Sequence, residues 1–354
     1  VPKRQSRPTI RDVAALANVS VGTASKVVNN DASVRAATRE KVQQAIAQIG
    51  YAPDAIAQSM RMGSTNTIGC ILRDMTIPLL TDFVRAAHDT LATAGISLLI
   101  SNSEGREDRE RALLANLSRR RVDGVIMGPY SPISGEFREF LSGLNVPVVL
   151  LDRNEASWLD AVMIDHRDGM YQAVKRLLDL GHRRIALITG DQRLYPARER
   201  LRGFQEAHAD RGLMPEEDLV IARSFLSDAA YDIVTEMMQR PDPPSAIVAG
   251  GMDMLSGVLR AIRASGLEVP RDVSVIGSGN SELAELYSPP IAMIDWDYAN
   301  VGRIAANLLL DRIGGDSMAA ARHVIVPTHF IERASIGAPP SASPVRSKGR
   351  TSAK

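Results

Sequence analysis

Apolar residues near the start of the chain recur at helical spacing. Ile10, Val13, Ala14 and Ala17 fall at i, i+3, i+4 and i+7, the buried stripe of one short helix. Thr9 precedes the stripe as an N-cap, and Asp12 three residues on complements the positive helix end. Asn18 suits the left-handed backbone of a tight turn, and Ser20 caps a second helix over 21–29. On that helix Ala24, Val27 and Val28 face inward, while Gly22, Ser25, Lys26 and Asn29 recur on the other side. A third helix runs from about Ala36 to Gln48, with Val42, Ala45, Ile46 and Ile49 as its stripe and Gly50 as its stop. Two short helices joined by a tight turn, the second with a polar, cation-bearing outer face, form the pair that places one helix in a DNA major groove.

From Ile68 the text changes. Apolar runs of four or five residues alternate with amphipathic stretches: IGCIL (68–72), ISLLI (96–100), GVIM (124–127), PVVLL (147–151), AVMI (161–164), IALI (185–188), LVIA (219–222), AIVA (246–249), VSVI (273–276) and IAMI (291–294). Continuous rather than alternating hydrophobics suit strands buried on both faces of a parallel sheet. Gly95, Gly181, Gly212 and Gly266 each stand between a helical pattern and the next strand. The pattern predicts a doubly wound α/β body, with too many strands for one compact sheet and therefore two lobes. A helix from about Tyr298 to Ile313 has Val301, Ile304, Ala305, Leu308 and Leu309 on one face. The stretch 338–354, rich in Pro, Ser, Ala and basic residues, predicts a disordered basic tail.

Charge sharpens the division. Residues 1–63 hold nine lysines or arginines against four acids, and residues 338–354 hold four basic residues and no acid. The whole chain is only +1, so the stretch between is acidic. A basic head on an acidic body attracts phosphate at one end. A length of 354 residues accommodates two lobes and a small head. One cysteine, no transmembrane run and an opening VPKRQSRPTI without an apolar h-region point to the reducing cytoplasm, with no membrane partner.

Enzyme chemistry finds little support. GSGN (277–280) is too short for a dinucleotide fingerprint, and no G-x-S-x-G, Walker loop, zinc motif or HExxH occurs. The six histidines are scattered, and Cys70 sits in a predicted buried strand, where packing outweighs nucleophilic use. No cofactor, metal or catalytic residue is expected. The alternatives are an α/β enzyme or a solute-binding protein with the same two-lobed body.

The segment T-I-R-D-V-A-x-x-A-x-V-S-x-x-T-x-S-x-V-V-N (Thr9–Asn29), followed by T-R-E-K-V (Thr38–Val42) and G-Y-x-P-x-x-x-A (Gly50–Ala57), resembles the LacI/GalR (lactose repressor) family of bacterial transcription regulators. The likeness continues to about residue 337. It implies a helix-turn-helix DNA-binding domain over 1–50 and a hinge over 51–63. An effector-binding and dimerisation domain over 64–337 resembles a periplasmic binding protein. Its first lobe spans about 64–164 and 296–324, its second about 165–294 and 325–337. The chain crosses between lobes near 164–167, 292–297 and 322–327. By position, Val21, Gly22 and Lys26 are the base readers. Lys26 stands where the family often has Arg, and donates to guanine without Arg's planar fork. Thr9, Ser20, Thr23, Ser25, Asn29, Thr38 and Tyr51 fall at family positions in and around the reading helix, several of which contact the DNA backbone or cap helices and set register. In the hinge, Met60 replaces the family's usual Leu as the minor-groove wedge, Ala57 is small enough for close approach, and Arg61 adds a phosphate contact. The partners implied are a palindromic operator in double-stranded DNA, a small-molecule effector that is a sugar or sugar-derived, and a second copy of the chain.

The same resemblance places an effector in the cleft. Arg200, in R-x-R-L-R-G-F (Arg198–Phe204), matches the family's main ligand-binding Arg, and Phe225 a stacking position. Asp152 ends the strand PVVLLD and points into the cleft. Asp74 and Thr76, with Leu79 and Leu80 behind them, match the first-lobe contact segment. Gly251 replaces a common Asn, Gly279 a common Asp, and the leucines the family's aromatics. These losses remove acceptors of sugar hydroxyl protons and a stacking face. Either the effector is not a plain hexose, or Asn280, Asp253, Tyr195 or Trp158 substitutes. Neighbouring glycines open space for a bulkier or more acidic ligand, with Arg193, Arg198 and Arg200 close by. The ligand then changes lobe orientation and so operator affinity, with a coupling of about 1–3 kcal/mol.

Overall fold

The computed structural model describes residues 8–52, 64–130, 132–133, 135–315 and 319–340. It divides into two compact units, Val1–Asn66 and Thr67–Lys354.

The small unit carries α1 (Ile10–Leu16), α2 (Val21–Val28) and α3 (Ala36–Ile49). Each predicted start and stop is visible as a local interaction. Asp12 accepts from the Thr9 backbone N–H at 2.7 Å and from its hydroxyl at 2.8 Å. Asn18 takes φ 52° in the turn, and the Ser20 hydroxyl accepts the Thr23 N–H at 3.1 Å. Val13, Ala14, Ala17, Ala24, Val27, Val42 and Ala45 form the core, with Ile10, Ile46, Ile49 and Tyr51 packed at its edge. Gly50 ends α3 at φ 63°. The hinge residues Ala57, Met60 and Arg61 lie outside the described residues.

The large unit contains two six-stranded sheets. The first is built from β1 (Thr67–Leu72), β2 (Ser97–Asn102), β3 (Gly124–Met127), β4 (Val148–Leu151), β5 (Asp160–Ile164) and β11 (His323–Val326), in the order β11-β5-β4-β3-β1-β2. The second uses β6 (Ile185–Thr189), β7 (Val220–Ala222), β8 (Ala246–Ala249), β9 (Ser274–Ser278), β10 (Ala292–Asp295) and β12 (His329–Ile331), in the order β12-β10-β9-β8-β6-β7. All neighbouring strands run parallel except β12, which is antiparallel to β10. The ten apolar runs coincide with ten of these strands. The two unmarked ones, β11 and β12, are edge strands of four and three residues whose apolar runs, Val324–Val326 and Phe330–Ile331, are shorter than those that mark the other strands. β2 departs the other way: its text is apolar, yet it is an edge strand with Ile100 38% exposed.

Nine helices surround the sheets among the described residues: α4 (Leu80–Thr93), α5 (Glu107–Arg119), α6 (Gly135–Ser142), α7 (His166–Asp179), α8 (Tyr195–Ala209), α9 (Ser227–Met238), α10 (Met254–Ala264), α11 (Glu282–Leu286) and α12 (Tyr298–Ile313). β5 of the first sheet leads directly into α7, which packs on β10 and β12 of the second. β10 leads into α12, which packs on β3, β4 and β5 of the first. β11 and β12 are joined by Pro327 and Thr328. The chain therefore passes between sheets three times, at 164–166, 295–298 and 326–329. The tail expectation needs a correction at its start. Pro339 lies beside Gly181, and His182 Nε2 is 2.9 Å from the Gly337 carbonyl, so this end is anchored against the second lobe. Residues 341–354 lie outside the described residues.

Three helix pairs close on a glycine. A Cβ at Gly302 of α12 would lie 2.3 Å from the Phe83 carbonyl of α4, and one at Gly203 of α8 would lie 2.1 Å from the Arg167 carbonyl of α7. A Cβ at Gly257 of α10 would lie 1.9 Å from the Ser227 carbonyl of α9. The obstacle is backbone each time, so a methyl group can be admitted only by separating the helices. Gly302→Ala is expected to lower the stability of the large unit by about 1–3 kcal/mol, as overpacking does. A fall in the urea midpoint at unchanged slope is the readout.

Candidate functional site

On the small unit the outer face of α2 carries Val21 (44% exposed), Gly22, Lys26 and Asn29, all free of the core. Ser25 is half-buried beside them. Ser20 and Thr23 share a hydroxyl–hydroxyl bond of 2.9 Å at the start of the helix, so they orient its N-terminus. Thr9 is engaged with Asp12, and Thr38 lies half-buried in the first turn of α3. Tyr51 packs against the head core, and its N–H donates to the Ile46 carbonyl. Arg39 is also structural: it donates to the Asp31 carbonyl at 2.6 Å and to Asn30, closing the loop after α2. Arg11, Arg35 and Lys41 stay exposed and add to the basic surface.

The large unit holds a cavity of about 920 Å³ including its mouth, lined from both lobes. Its floor comes from the carboxyl ends of first-sheet strands, as expected for this topology. Arg73 follows β1, Gly128 and Tyr130 follow β3, and Asp152 and Arg153 follow β4. Ile71, Leu72, Ile77, Leu80 and Phe83 make one apolar wall. Pro196, Arg200, Phe225, Gly251 and Met252 approach from the second lobe, and Tyr298 from the start of α12.

Asp152 organises this floor. Its backbone is left-handed at φ 55°. One carboxylate oxygen accepts the Ile164 N–H at 3.3 Å and the other lies 2.7 Å from His166 Nε2. Burial would raise the Asp152 carboxyl, but the neighbouring His166, Arg200 and Arg153 hold it below the ordinary carboxylate range. Burial, and then the Arg200 charge, push His166 below the usual imidazole range, so it stands neutral and donates Nε2–H to Asp152. Its Nδ1 is buried without a hydrogen-bond partner among the described residues, and its ring meets Trp296 edge-on at 5.4 Å. Arg200 is 5% exposed and makes no hydrogen bond or ion pair among the described residues. Its guanidinium sits 5.7 Å from the Phe225 ring centre, and burial lowers its pKa to about 10 against the opposing pull of Asp152.

Of the residues expected in the cleft, the structure brings Asp152, Arg200, Phe225, Gly251 and Leu80 together. It does not bring Asp74, Thr76, Leu79 or Gly279 to the lining. Asp74 accepts from the Thr76 N–H at 2.9 Å and hydroxyl at 2.7 Å, turning the loop on itself. The glycines do not open space. A Cβ on Gly251 would come within 2.8 Å of Phe225 and 2.9 Å of Met254, and one on Gly279 within 2.9 Å of Leu79 and 3.0 Å of Met252. Apolar side chains have taken that volume. The four suggested substitutes also point elsewhere. Tyr195 donates to the Ile164 carbonyl at 3.2 Å, Asn280 to Glu285 at 2.9 Å, Asp253 accepts from the Ser227 N–H, and Trp158 stacks under Arg138 at 4.1 Å in the first lobe. Arg193 pairs with Asp191 and Arg198 bonds Asn154, so Arg200 alone of the three arginines enters the cavity. Cys70 is buried with its thiol pushed up to about 12, a packing residue.

The segment 9–54 matches the model for bacterial regulatory proteins of the lacI family, and 174–336 matches a periplasmic binding protein-like domain. The chain is 34% identical over 307 residues to the HTH-type transcriptional repressor PurR of Vibrio parahaemolyticus, covering 86% of this chain and 92% of that protein. It is 33% identical over 310 residues to the repressor PurR of Glaesserella parasuis, covering 86% and 90%. Among solved structures, the lac repressor dimer bound to operator and the anti-inducer ONPF aligns with TM-score 0.82 and 27% identity over 94% of this chain and all of that one. The CelR–cellobiose complex aligns with TM-score 0.70 and 32% identity over 93% and 100%.

The chain belongs to the LacI family. It is a DNA-binding transcriptional regulator of the repressor type. In this LacI-family regulator the sequence reading missed Arg73, Tyr130, Arg153, His166, Met252 and Tyr298. Arg73 and Arg153 were within reach of a simple rule, since each follows the end of a predicted parallel strand. His166 and Tyr298 open helices right after the lobe crossings, where spacing alone marks no site.

Three buried histidines give this protein an acid limit. Burial pushes His166, His182 and His208 below the ordinary value of 6.5. The folded state therefore binds fewer protons than the unfolded chain once pH falls below that value, so their contribution is present above it and lost as pH drops. The lowered Asp152 acts in the same direction at lower pH. The thermal midpoint is expected to fall steadily between about pH 7 and pH 5, and a flat profile by calorimetry would contradict the assignment.

Proposed function

We propose that the chain works as a homodimer that represses transcription by holding a palindromic operator, with an effector in the cleft setting operator affinity. Residues up to about 50 form the reading head and 51–63 the hinge. Residues 64–337 form the effector-binding and dimerisation domain, with lobes divided as the three crossings suggest. Val21, Gly22 and Lys26 read bases. Thr9, Ser20, Thr23, Ser25, Asn29, Thr38 and Tyr51 set register, and Ala57 and Met60 enter the minor groove. Asp152, Arg200, Phe225, Gly251 and Leu80 contact the effector. The protein acts by binding rather than catalysis, in the cytoplasm where its operator lies. The dimer and operator in the lac repressor complex and the sugar in the CelR complex support this reading. So does a largely apolar groove along β2 and α4, lined by Leu72, Met75, Leu80, Val84, Leu98 and Ile100 together with Thr81, Arg85 and His88, a surface open to a second copy of the chain. Its axis would match a two-fold operator.

The observation that carries the reading is the exposed face of α2 bearing Lys26, in a chain whose larger unit aims Arg200, unbonded among the described residues, into a two-lobed cavity. Two variants separate the halves. Lys26→Ala is expected to relax base choice at one position of each half-site by about 1–3 kcal/mol, measured by footprinting on systematically substituted palindromes. Arg200→Ala is expected to remove the ligand's effect on operator affinity in a titrated gel shift. A ligand effect that survives the substitution counts against the cleft assignment.

A further inference from the structure

The polar equipment of the cavity is lopsided. Among the described residues that line it, three are arginines, 73, 153 and 200, the one carboxylate is Asp152, and Tyr130 and Tyr298 bring hydroxyls. Asp152 is already committed to His166 and the Ile164 N–H. The Tyr298 hydroxyl donates to the Met252 sulfur, and the Arg153 guanidinium donates to the Asp152 carbonyl at 2.7 Å. Arg200 and Arg73 make no hydrogen bond or ion pair among the described residues, and Arg200 is nearly fully buried. An arginine offers five N–H donors and no acceptor. Each hydroxyl of a neutral polyol brings a donor beside its two acceptor lone pairs, and those protons would face a floor that mostly donates as well. A carboxylate brings acceptors only and fits the planar fork.

Arg153 is also opposed by Asp152, Glu155 and Glu110, so it is the arginine of the three already matched by carboxylates. The rest of the cavity is apolar. Phe225 lies over the backbone of Gly190 and Gly251, Met254 crowds Gly251, and Leu79 and Met252 crowd Gly279, the two positions where acceptors were expected; Ile77 and Leu80 add to the apolar lining. Resting on the reading of this cavity as the effector site, we propose that the effector is an organic carboxylate, a carboxylate group on an apolar body. Arg200 and Arg73 hold the carboxylate, and Phe225, Met252 and Leu80 enclose the body.

The test is calorimetry on the full chain with benzoate, phenylacetate and hexanoate, each beside its amide, and with phenyl phosphate, glucose and cellobiose. At least one carboxylate is expected to bind, its amide about tenfold or more weaker, and its affinity to fall with added salt. Arg200→Gln and Arg73→Gln are each expected to weaken that carboxylate by about tenfold or more, with thermal midpoints confirming that both fold. Equal binding of amide and acid, tighter binding of phenyl phosphate, or no binding by any carboxylate overturns the proposal. Glucose or cellobiose binding in an Arg200-dependent way overturns it while leaving the effector site in place. Ligands that bind with no dependence on Arg200 remove the site reading itself.

Discussion

The cleft depends on one negative charge. Asp152 sits at the end of β4, and its carboxylate faces a buried His166 from the chain's first passage between lobes. It also offsets the buried Arg200, which comes from the second lobe. Without it, a guanidinium almost out of water would stand uncompensated, and burial of that kind is tolerated only when an opposite charge is near. The carboxylate therefore does two things at once. It ties the floor of the first lobe to the crossing, and it keeps an arginine charged inside an apolar cavity. The left-handed backbone at this position is a local strain consistent with a residue held for its side chain rather than for its conformation.

Around that charge, helix pairs within each lobe are held at backbone distance. Each of the glycine contacts at 203, 257 and 302 lets one helix rest its main chain on a carbonyl of its partner. Two of these pairs involve helices that follow lobe crossings: α7 with α8, and α12 with α4. Close-packed pairs transmit displacement because interiors resist compression. A shift of α7 on the His166 side must therefore carry α8, and with it Arg200, as one body. The crossing segments are the parts left to bend.

The fold was largely legible because its signals are redundant. In the head, N-cap, left-handed Asn18 and apolar stripe all pointed to the same three helices. In the body, ten apolar runs matched ten strands, each bounded by a glycine or an amphipathic stretch. The misses share a physical cause. β11 and β12 are short edge strands, whose apolar runs are briefer than those that mark the others. β2 carries an apolar text for a surface rather than for a core. The site was legible only in part, for a different reason. Family position predicts where a backbone lies, and it located Asp152, Arg200 and Phe225. It says nothing of what fills a space when a neighbour shrinks. Gly251 and Gly279 looked like vacancies in one dimension, but in three dimensions Phe225, Met252, Met254 and Leu79 occupy them.

That replacement bears on how a ligand can act. A ligand moves an equilibrium only by binding one arrangement of the lobes better than another. Hydrogen bonds to a fixed backbone in one lobe bind both arrangements alike and shift nothing. Here Arg73 belongs to the first lobe and Arg200 to the second, while the apolar wall is divided between Leu80 and Phe225 in the same way. A group clasped by both arginines is bound tightly only when the two lobes bring them to a common distance. That division between lobes makes their spacing the quantity that a ligand spanning the cavity reads.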